Sequence, residues 1–153
     1  MNQNGFTLIE TIIYIALFAI IIGGGLATTL QIIEATNAAQ NHVILQNEAN
    51  FIFRKLDWAM TGATGIYPND PDNNELQVAK DSTSLLFDAS DNSNITLNGT
   101  GLNSSSIQIS NVEFKKFQTT GEPDSITVTF TMTTNQNGKS ATEDFSYTKY
   151  LRQ

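Results

Sequence analysis

The chain has 153 residues, no cysteine, and 15 acidic against 8 basic side chains, which leaves a net charge of −7. This length allows one compact domain with additional segments. The missing cysteine excludes disulfides, thiol catalysis and cysteine-ligated zinc within this chain. An acidic chain lacks the basic surface on which non-specific nucleic-acid binding depends, so direct nucleic-acid binding is not expected.

The N-terminal part of the chain is strongly apolar. Residues 6–27 have the sequence FTLIETIIYIALFAIIIGGGLA. As a helix at about 1.5 Å per residue they would span about 33 Å, enough to cross the hydrocarbon core of a bilayer. Glu10 lies near the start of this run, where an unpaired carboxylate in hydrocarbon costs at least about 2.5 kcal/mol. This carboxylate therefore needs a partner or a function.

The residues at the start of the apolar run form a recognisable motif. The order Gly5-Phe6-Thr7-Leu8-Ile9-Glu10, followed directly by the run, resembles the class III signal of type IV pilins and the related pseudopilins. The resemblance implies that a prepilin peptidase cuts after Gly5 on the cytoplasmic side and methylates the new N-terminal amine of Phe6. It also implies that Glu10 pairs with the Phe6 amine of a neighbouring subunit in a helical filament, which would relieve two desolvation penalties at once.

An alternative interpretation of Glu10 remains open. The carboxylate would then lie at the membrane interface near the N-terminus of its own helix, where the helix dipole favours an anion. The leader also departs from the family pattern, because Asn2, Gln3 and Asn4 stand where family leaders usually carry Lys or Arg. This departure leaves efficient cleavage and orientation open, and only the short leader indicates that the N-terminus stays inside the cell.

Three consecutive glycines, Gly23, Gly24 and Gly25, interrupt the apolar run. At roughly 1 kcal/mol each relative to alanine they weaken the helix, at a place where many pilins carry a helix-breaking proline. By analogy, this stretch would extend or melt as the subunit passes from membrane to filament. The alternative is that small residues let neighbouring helices approach closely. The sequence does not decide between the two.

The residues after the glycines predict that the helix continues. No proline or glycine occurs from Leu26 to Met60, so one helix is expected from Phe6 to about Met60, about 55 residues and about 80 Å long. Thr61-Gly62 supplies a stop signal. A stripe at helical spacing is expected to pack on a sheet; it consists of Leu45, Ala49, Ile52, Leu56 and Ala59, with Phe53 and Met60 on its flank.

Polar and aromatic residues near the end of this helix receive simple interpretations. Arg54, Lys55 and Asp57 are expected to form a solvated helix end, and Trp58 is expected to pack rather than to bind a ligand. His42 is the single histidine of the chain and is expected on the solvated surface. It has no second histidine or cysteine with which to build a metal site or a catalytic triad. The sequence also has no G-x-S-x-G motif, no phosphate-binding loop and no dinucleotide-binding fingerprint, so we do not expect an enzyme.

From Ile66 onward, short alternating runs separated by Asn, Asp, Gly and Ser predict antiparallel strands. The clearest are Ser125–Thr133 and Thr142–Leu151, joined by a turn at residues 135–138 into a hairpin with one apolar face. That face would cover the helical stripe, which predicts an α+β, pilin-like fold with a long helix on an antiparallel sheet. The other expected strands are Leu76–Ala79, Ser84–Phe87, Ile95–Leu97, Ser106–Ile109 and Val112–Phe117.

Two acidic loops offer hard oxygen ligands, which makes calcium a candidate cofactor. The candidate ligands are Asp70 and Asp72 in the first loop and Asp88 and Asp91 in the second. The second loop lacks the glycine and the distal glutamate of an EF-hand, and both loops have the composition of ordinary turns. We therefore expect no cofactor and no metal. The Asn-X-Ser/Thr sequons at Asn94, Asn98 and Asn103 are attributed to the composition of this stretch.

Together these features predict a structural subunit of a type IV pilus or a type II secretion-like pseudopilus. The expected organisation is a leader at 1–5, a membrane and filament-core helix at 6–27, an amphipathic continuation at 28–61 and a β-rich head at 62–153. The subunit would lie in the cytoplasmic membrane with its head outside the cytoplasm, contact lipid and an inner-membrane assembly platform, and then join other pilins in a periplasmic or extracellular filament.

The extended helix, the many-stranded head and the absence of a disulfide loop resemble a minor J-type pseudopilin or W-type minor pilin. Two other functions are compatible with the sequence. The head could serve as an adhesin or substrate-binding module displayed on the filament, which exposed aromatic residues such as Tyr67 would favour. Alternatively, the helix stays uncleaved and the chain is a single-pass anchored protein in which Glu10 is incidental.

Overall fold

A computed structural model describes residues 7–69, 74–80, 82–118, 124–136 and 139–150. In this part of the chain, helix α1 (Leu8–Met60) precedes eight strands. The strands are β1 (Gly65–Asn69), β2 (Glu75–Lys80), β3 (Thr83–Asp88), β4 (Thr96–Leu97), β5 (Thr100–Gly101), β6 (Ile107–Phe117), β7 (Ser125–Gln136) and β8 (Lys139–Tyr150). The predicted α+β, pilin-like arrangement of a long helix followed by antiparallel strands is confirmed.

Helix α1 ends where its sequence predicts. Met60 is its last residue, and the Thr61 amide donates to the carbonyl oxygen of Asp57 at 2.9 Å. Gly62 follows with a φ of 75°, a left-handed conformation that glycine adopts without the steric cost of a side chain. By internal packing the chain divides into two compact units, Met1–Ala39 and Gln40–Gln153.

The strands of the second unit form two antiparallel sheets, with strand orders β1-β2-β3-β4-β5 and β6-β7-β8. Two of these strands were not predicted. Strand β1 contains Gly65 and Pro68, residues that disfavour a strand interior but are accepted at a sheet edge, where β1 lies. Strand β5 has two residues and pairs with β4 across a turn in which Asn98 and Gly99 both have positive φ, 51° and 79°.

The sequence predicted two strands where the structure has the single strand β6. The expected strands Ser106–Ile109 and Val112–Phe117 are one strand, Ile107–Phe117, whose pairing with β7 shifts register between Ser110 and Glu113. Asn111 lies within this irregularity with a φ of 53°. The shift is a β-bulge, which breaks the alternation of apolar residues in the sequence without ending the strand.

The core of the second unit lies between α1 and the sheets. The whole predicted stripe of α1 is buried, and Phe53 packs beside it. On β7 the alternating residues Ile126, Val128, Phe130 and Met132 are also buried. The Phe53 ring stacks on Tyr147 of β8 at 5.0 Å between centroids and lies 5.4 Å from Phe130. The expected packing of the helix on the apolar face of the β7–β8 hairpin is thus confirmed.

Three side chains on α1 differ from their simple interpretation. Asp57 is not merely part of a solvated helix end, because it accepts hydrogen bonds from Tyr147 and Lys149 of β8. Trp58 is half exposed, with the Lys80 ammonium 5.0 Å from its ring centroid. His42 is exposed as expected, but its Nδ1 contacts the carboxylate of Glu143. Sequence spacing could not find these pairs, because each joins residues far apart in the chain.

Candidate membrane and assembly segment

From Ile12 to Ile22, α1 is apolar on all sides. The large apolar side chains of this stretch are exposed, and the most apolar stretch of α1 has no buried residue. A helix that is apolar all round requires a non-aqueous surrounding such as a membrane or neighbouring helices. By length and composition α1 can cross a membrane. The exposed apolar residues in the N-terminal half of α1 are Leu8, Ile9, Ile12, Ile13, Tyr14, Ile15, Leu17, Phe18, Ile20, Ile21, Ile22, Leu26, Leu30, Ile32 and Ile33.

The first turn of α1 is capped by Thr7. The Glu10 amide donates to Thr7 Oγ1 at 3.4 Å, and the Thr11 amide donates to the Thr7 carbonyl oxygen at 3.2 Å. Thr7 and Glu10 have the Thr-x-x-Glu spacing of a capping box, which is the local signal from which this cap could have been predicted. The cap satisfies an amide that would otherwise lack a partner in an apolar surrounding.

Glu10 has a hydrogen-bond donor on its own helix. The Tyr14 hydroxyl donates to Glu10 Oε1 at 3.0 Å, and the two residues are four positions apart on one face of α1. Glu10 is half-buried, whereas the neighbouring apolar side chains are exposed. The sequence led us to expect a partner for Glu10 on a neighbouring subunit, with the helix dipole as the alternative. The i to i+4 spacing of Glu and Tyr is the signal that could have identified Tyr14.

The three glycines lie inside continuous α-helix. An added Cβ at Gly23, Gly24 or Gly25 would meet no atom within 4 Å, so no packing within the chain requires glycine there. The hydroxyls of Thr28 and Thr29 donate back to the carbonyl oxygens of Gly24 and Gly25, each at 2.9 Å. Such bonds to the carbonyl four residues earlier supply polar groups with partners in an apolar surrounding.

Several predicted site residues lie outside the described residues. These are the processing residues Gly5 and Phe6 and the first pair of calcium candidates, Asp70 and Asp72. The turn residues Asn137 and Gly138 and strand residue Leu151 are also outside them.

The second acidic loop is a hydrogen-bonded turn. Asp88 Oδ1 accepts from the amide and hydroxyl of Ser90, at 2.8 and 2.6 Å. Asp91 Oδ1 accepts from the amides of Ser93 and Asn94, each at 2.9 Å. These bonds, first of all that from the Ser93 amide, hold the pKa of Asp91 below its usual value. Both carboxylates therefore order the chain locally, as Asp commonly does in turns.

Residues of catalytic type are dispersed. Within the ranges that the structure describes, no three His, Asp or Glu side chains come together as a group that could hold a metal ion. The contact of His42 with Glu143 ties the only histidine to β8.

One comparison with known proteins bears on this segment. Residues 1–26 match the model of the prokaryotic N-terminal methylation motif. No curated protein and no solved structure matches the chain. The match covers the leader, the Gly5–Glu10 motif and most of the apolar run, and it supports a type IV pilin-like class III signal that is processed after a glycine.

The motif and the apolar helix together indicate an N-terminal segment of the type IV pilin-like class. The motif implies processing by a prepilin peptidase and assembly with other pilins in general, and it suggests a structural rather than an enzymatic protein. The apolar helix near the N-terminus is consistent with a single-pass anchor in the inner membrane before assembly.

Proposed function

We propose that the chain is a structural subunit of a type IV pilus or a related pseudopilus. The observation that carries this proposal is the overlap of the N-terminal methylation motif at residues 1–26 with the part of α1 that is apolar on all sides, from Ile12 to Ile22. A membrane anchor alone would explain the apolar helix. The motif supports a processed filament subunit rather than a simple anchor, because it contains the cleavage site and the residue to be methylated.

In this proposal each motif residue has a defined role. Cleavage follows Gly5, and Phe6 becomes the methylated N-terminus. Glu10 pairs with the Phe6 amine of a neighbouring subunit, since a carboxylate in a low-dielectric filament core is stabilised by an opposite charge. Gly23, Gly24 and Gly25 give the helix local freedom, which their lack of packing contacts permits.

The remaining organisation is proposed on the same basis. Residues 1–5 form the leader, 6–27 the membrane and filament-core helix, 28–61 its amphipathic continuation and 62–153 the head. The subunit is inserted in the inner membrane with its head outside the cytoplasm, and an assembly platform transfers it to the filament. We further propose a minor subunit of the J-type pseudopilin or W-type minor pilin kind, on the basis of its long helix and many-stranded head.

The first test is to co-express the full chain with a prepilin peptidase and to determine the N-terminus and intact mass of the membrane-extracted product. We expect a species that begins at Phe6 and carries one added methyl group. A Gly5→Leu variant should remain uncleaved, which shows that the peptidase acts at this site. A wild-type product that keeps its leader, while a known prepilin is processed in parallel, would reduce the chain to an uncleaved membrane anchor.

The second test addresses assembly. Glu10→Gln removes the charge but keeps the size of the side chain, so this variant should be cleaved and yet be lost from sheared filaments. Glu34→Gln is the matched control, because Glu34 lies on the same helix, more than six turns from Glu10. Normal filament incorporation of Glu10→Gln would contradict the pairing with Phe6.

A binding role for the displayed head is a second candidate. The observation that favours it is the exposure of aromatic side chains in the second unit: Trp58, Tyr67, Phe117 and Tyr150 are each more than half exposed. Aromatic side chains with a polar group are frequent at recognition surfaces. Filaments that carry Tyr67→Ala should then lose adhesion or substrate binding while they assemble normally; unchanged binding by this variant would count against Tyr67.

A further inference from the structure

The Tyr14 side chain donates a hydrogen bond to the Glu10 carboxylate on the same helix, α1. Its hydroxyl lies 3.0 Å from Glu10 Oε1, one helical turn away. Within residues 8–27, Thr11 is the one polar side chain besides these two. Hydrogen bonds to ionised acceptors are stronger than those between neutral groups. They are stronger still where water is absent, since the local dielectric constant is low.

The contact uses only part of the hydrogen-bonding capacity of Glu10. An ionised carboxylate has two oxygens and about four acceptor sites. The Tyr14 hydroxyl bonds to Oε1, so a donor on another molecule can approach the same carboxylate simultaneously. The geometry therefore allows Glu10 to keep its intrahelical donor while it pairs with a positive amine.

We propose that Tyr14 is a positioning residue for Glu10. Its phenol supplies the hydrogen bond that an ionised carboxylate requires in the membrane, and it fixes the side chain of Glu10 for pairing with the amine of the next subunit. This inference rests on the proposed function, because it assumes that Glu10 acts in filament assembly. It adds a residue outside the Gly5–Glu10 motif to the assembly site.

The test measures how much of the processed subunit is recovered in sheared filaments relative to the membrane fraction, in cells that express the full chain with a complete assembly system. Tyr14→Phe removes one hydroxyl and leaves the ring. We expect the filament fraction to fall about tenfold, the size expected for loss of a hydrogen bond to a charged acceptor, while the cleaved N-terminus stays the same. Thr28→Val is the control, because it also removes one helix hydroxyl, but one that bonds to Gly24.

Two double variants distinguish positioning from a general need for tyrosine. Tyr14→Phe with Ile13→Tyr moves the phenol to three residues after Glu10, which is still on the same face of the helix, and should restore assembly. Tyr14→Phe with Phe18→Tyr keeps the composition but moves the phenol eight residues from Glu10, and should not restore it. Ile13 and Phe18 are both exposed, so neither exchange disturbs packing within the chain.

The outcomes separate this inference from the proposed function. Wild-type assembly of Tyr14→Phe, or equal rescue by the phenols at positions 13 and 18, would overturn the role of Tyr14 while loss of assembly in Glu10→Gln still supports a filament subunit. If Glu10→Gln itself assembles normally, the pairing in the proposed function fails, and the role of Tyr14 fails with it.

Discussion

Lys149 in the last described strand lies 2.5 Å from Asp57 in helix α1, although 92 residues separate them in the chain. The Tyr147 hydroxyl donates to the same carboxylate oxygen at 2.9 Å. Two side chains of β8 thus converge on one acceptor of α1. This convergence attaches the C-terminal strand to the helix beside the stacked rings of Phe53 and Tyr147.

The residues of α1 that contact β8 come in the same order along the chain as their partners on β8. From residue 42 to residue 57 the helix advances about 22 Å, and from residue 143 to residue 149 the strand advances about 20 Å. These two distances match, so the strand runs alongside the helix in the same direction. The contacts are His42 with Glu143, Phe53 with Tyr147, and Asp57 with Lys149.

Replacement of Asp57 by Asn should lower the free energy of unfolding by about 0.5–1 kcal/mol. The effect is modest because the Asp57 side chain is 47% exposed and solvent screens its charge. Urea unfolding of the full chain in detergent, followed by the fluorescence of its single tryptophan, Trp58, measures this change. Glu113→Gln is the matched control, because its pair with Lys115 at 2.7 Å is also half exposed but lies within one strand; an equal loss in both variants would contradict a specific role for Asp57.

The contribution of Asp57 should depend on pH. The hydrogen bond from Lys149 first, and then that from Tyr147, hold the pKa of Asp57 below its usual value. A carboxylate with a lowered pKa stabilises the fold above its unfolded pKa of about 3.9, and this contribution is lost as the pH falls through the folded value. The difference in stability between wild type and Asp57→Asn should therefore be constant from neutral pH to about pH 5 and disappear in stronger acid. A difference that persists unchanged in strong acid would exclude this origin.

The hydroxyl of Tyr147 should lose its proton at a higher pH than an ordinary tyrosine. Burial first, and then its hydrogen bond to Asp57, raise the pKa of Tyr147 to about 12. Because the folded pKa lies above the unfolded value of about 10, the stabilisation is complete below pH 10 and is lost as the pH rises towards 12. Ultraviolet titration of tyrosinate in the folded chain should show a component near pH 12 that Tyr147→Phe removes. Superimposable titration curves for the two proteins would contradict the part-buried hydrogen bond between Tyr147 and Asp57.

Phe53→Ala should be among the more destabilising single changes in the second unit. The ring packs against both Phe130 and Tyr147. Its loss should cost about 2–3 kcal/mol, below the value for a fully buried phenylalanine because Phe53 is only partly buried. Phe51→Ala is the control two residues earlier; that ring is exposed beside Lys55, so the cost should stay below about 1 kcal/mol. Urea unfolding compares the two, and equal costs would show that Phe53 does not anchor β8.

The turn between β4 and β5 should require glycine at one position only. Gly99 has a φ of 79°, and an added Cβ would meet no atom within 4 Å, so Gly99→Ala should cost about 1 kcal/mol through backbone strain alone. Gly101→Ala also adds a Cβ in open space, but without a positive φ, and should be nearly neutral. The melting temperatures of both variants test this difference. Equal melting temperatures would contradict a left-handed backbone at Gly99.

Local signals in the sequence predicted much of the fold. The periodicity of Leu45, Ala49, Ile52, Leu56 and Ala59 and the stop at Gly62 predicted the helix and its buried face, because both depend on residues close together in the chain. The strands that were missed or divided have weak local signals: Pro68 obscures β1, β5 has two residues, and the bulge near Asn111 interrupts the alternation of β6.

The sequence by itself determined the N-terminal segment of this protein. Gly5, Phe6, Glu10 and the apolar run form a contiguous motif, and neither the signal nor membrane length depends on a fold. Only the tertiary structure decided the partners of Asp57 and His42 on β8, because such pairs depend on how distant elements pack. Tyr14 lies between these cases: its spacing from Glu10 is local, but the side-chain geometry showed the hydrogen bond.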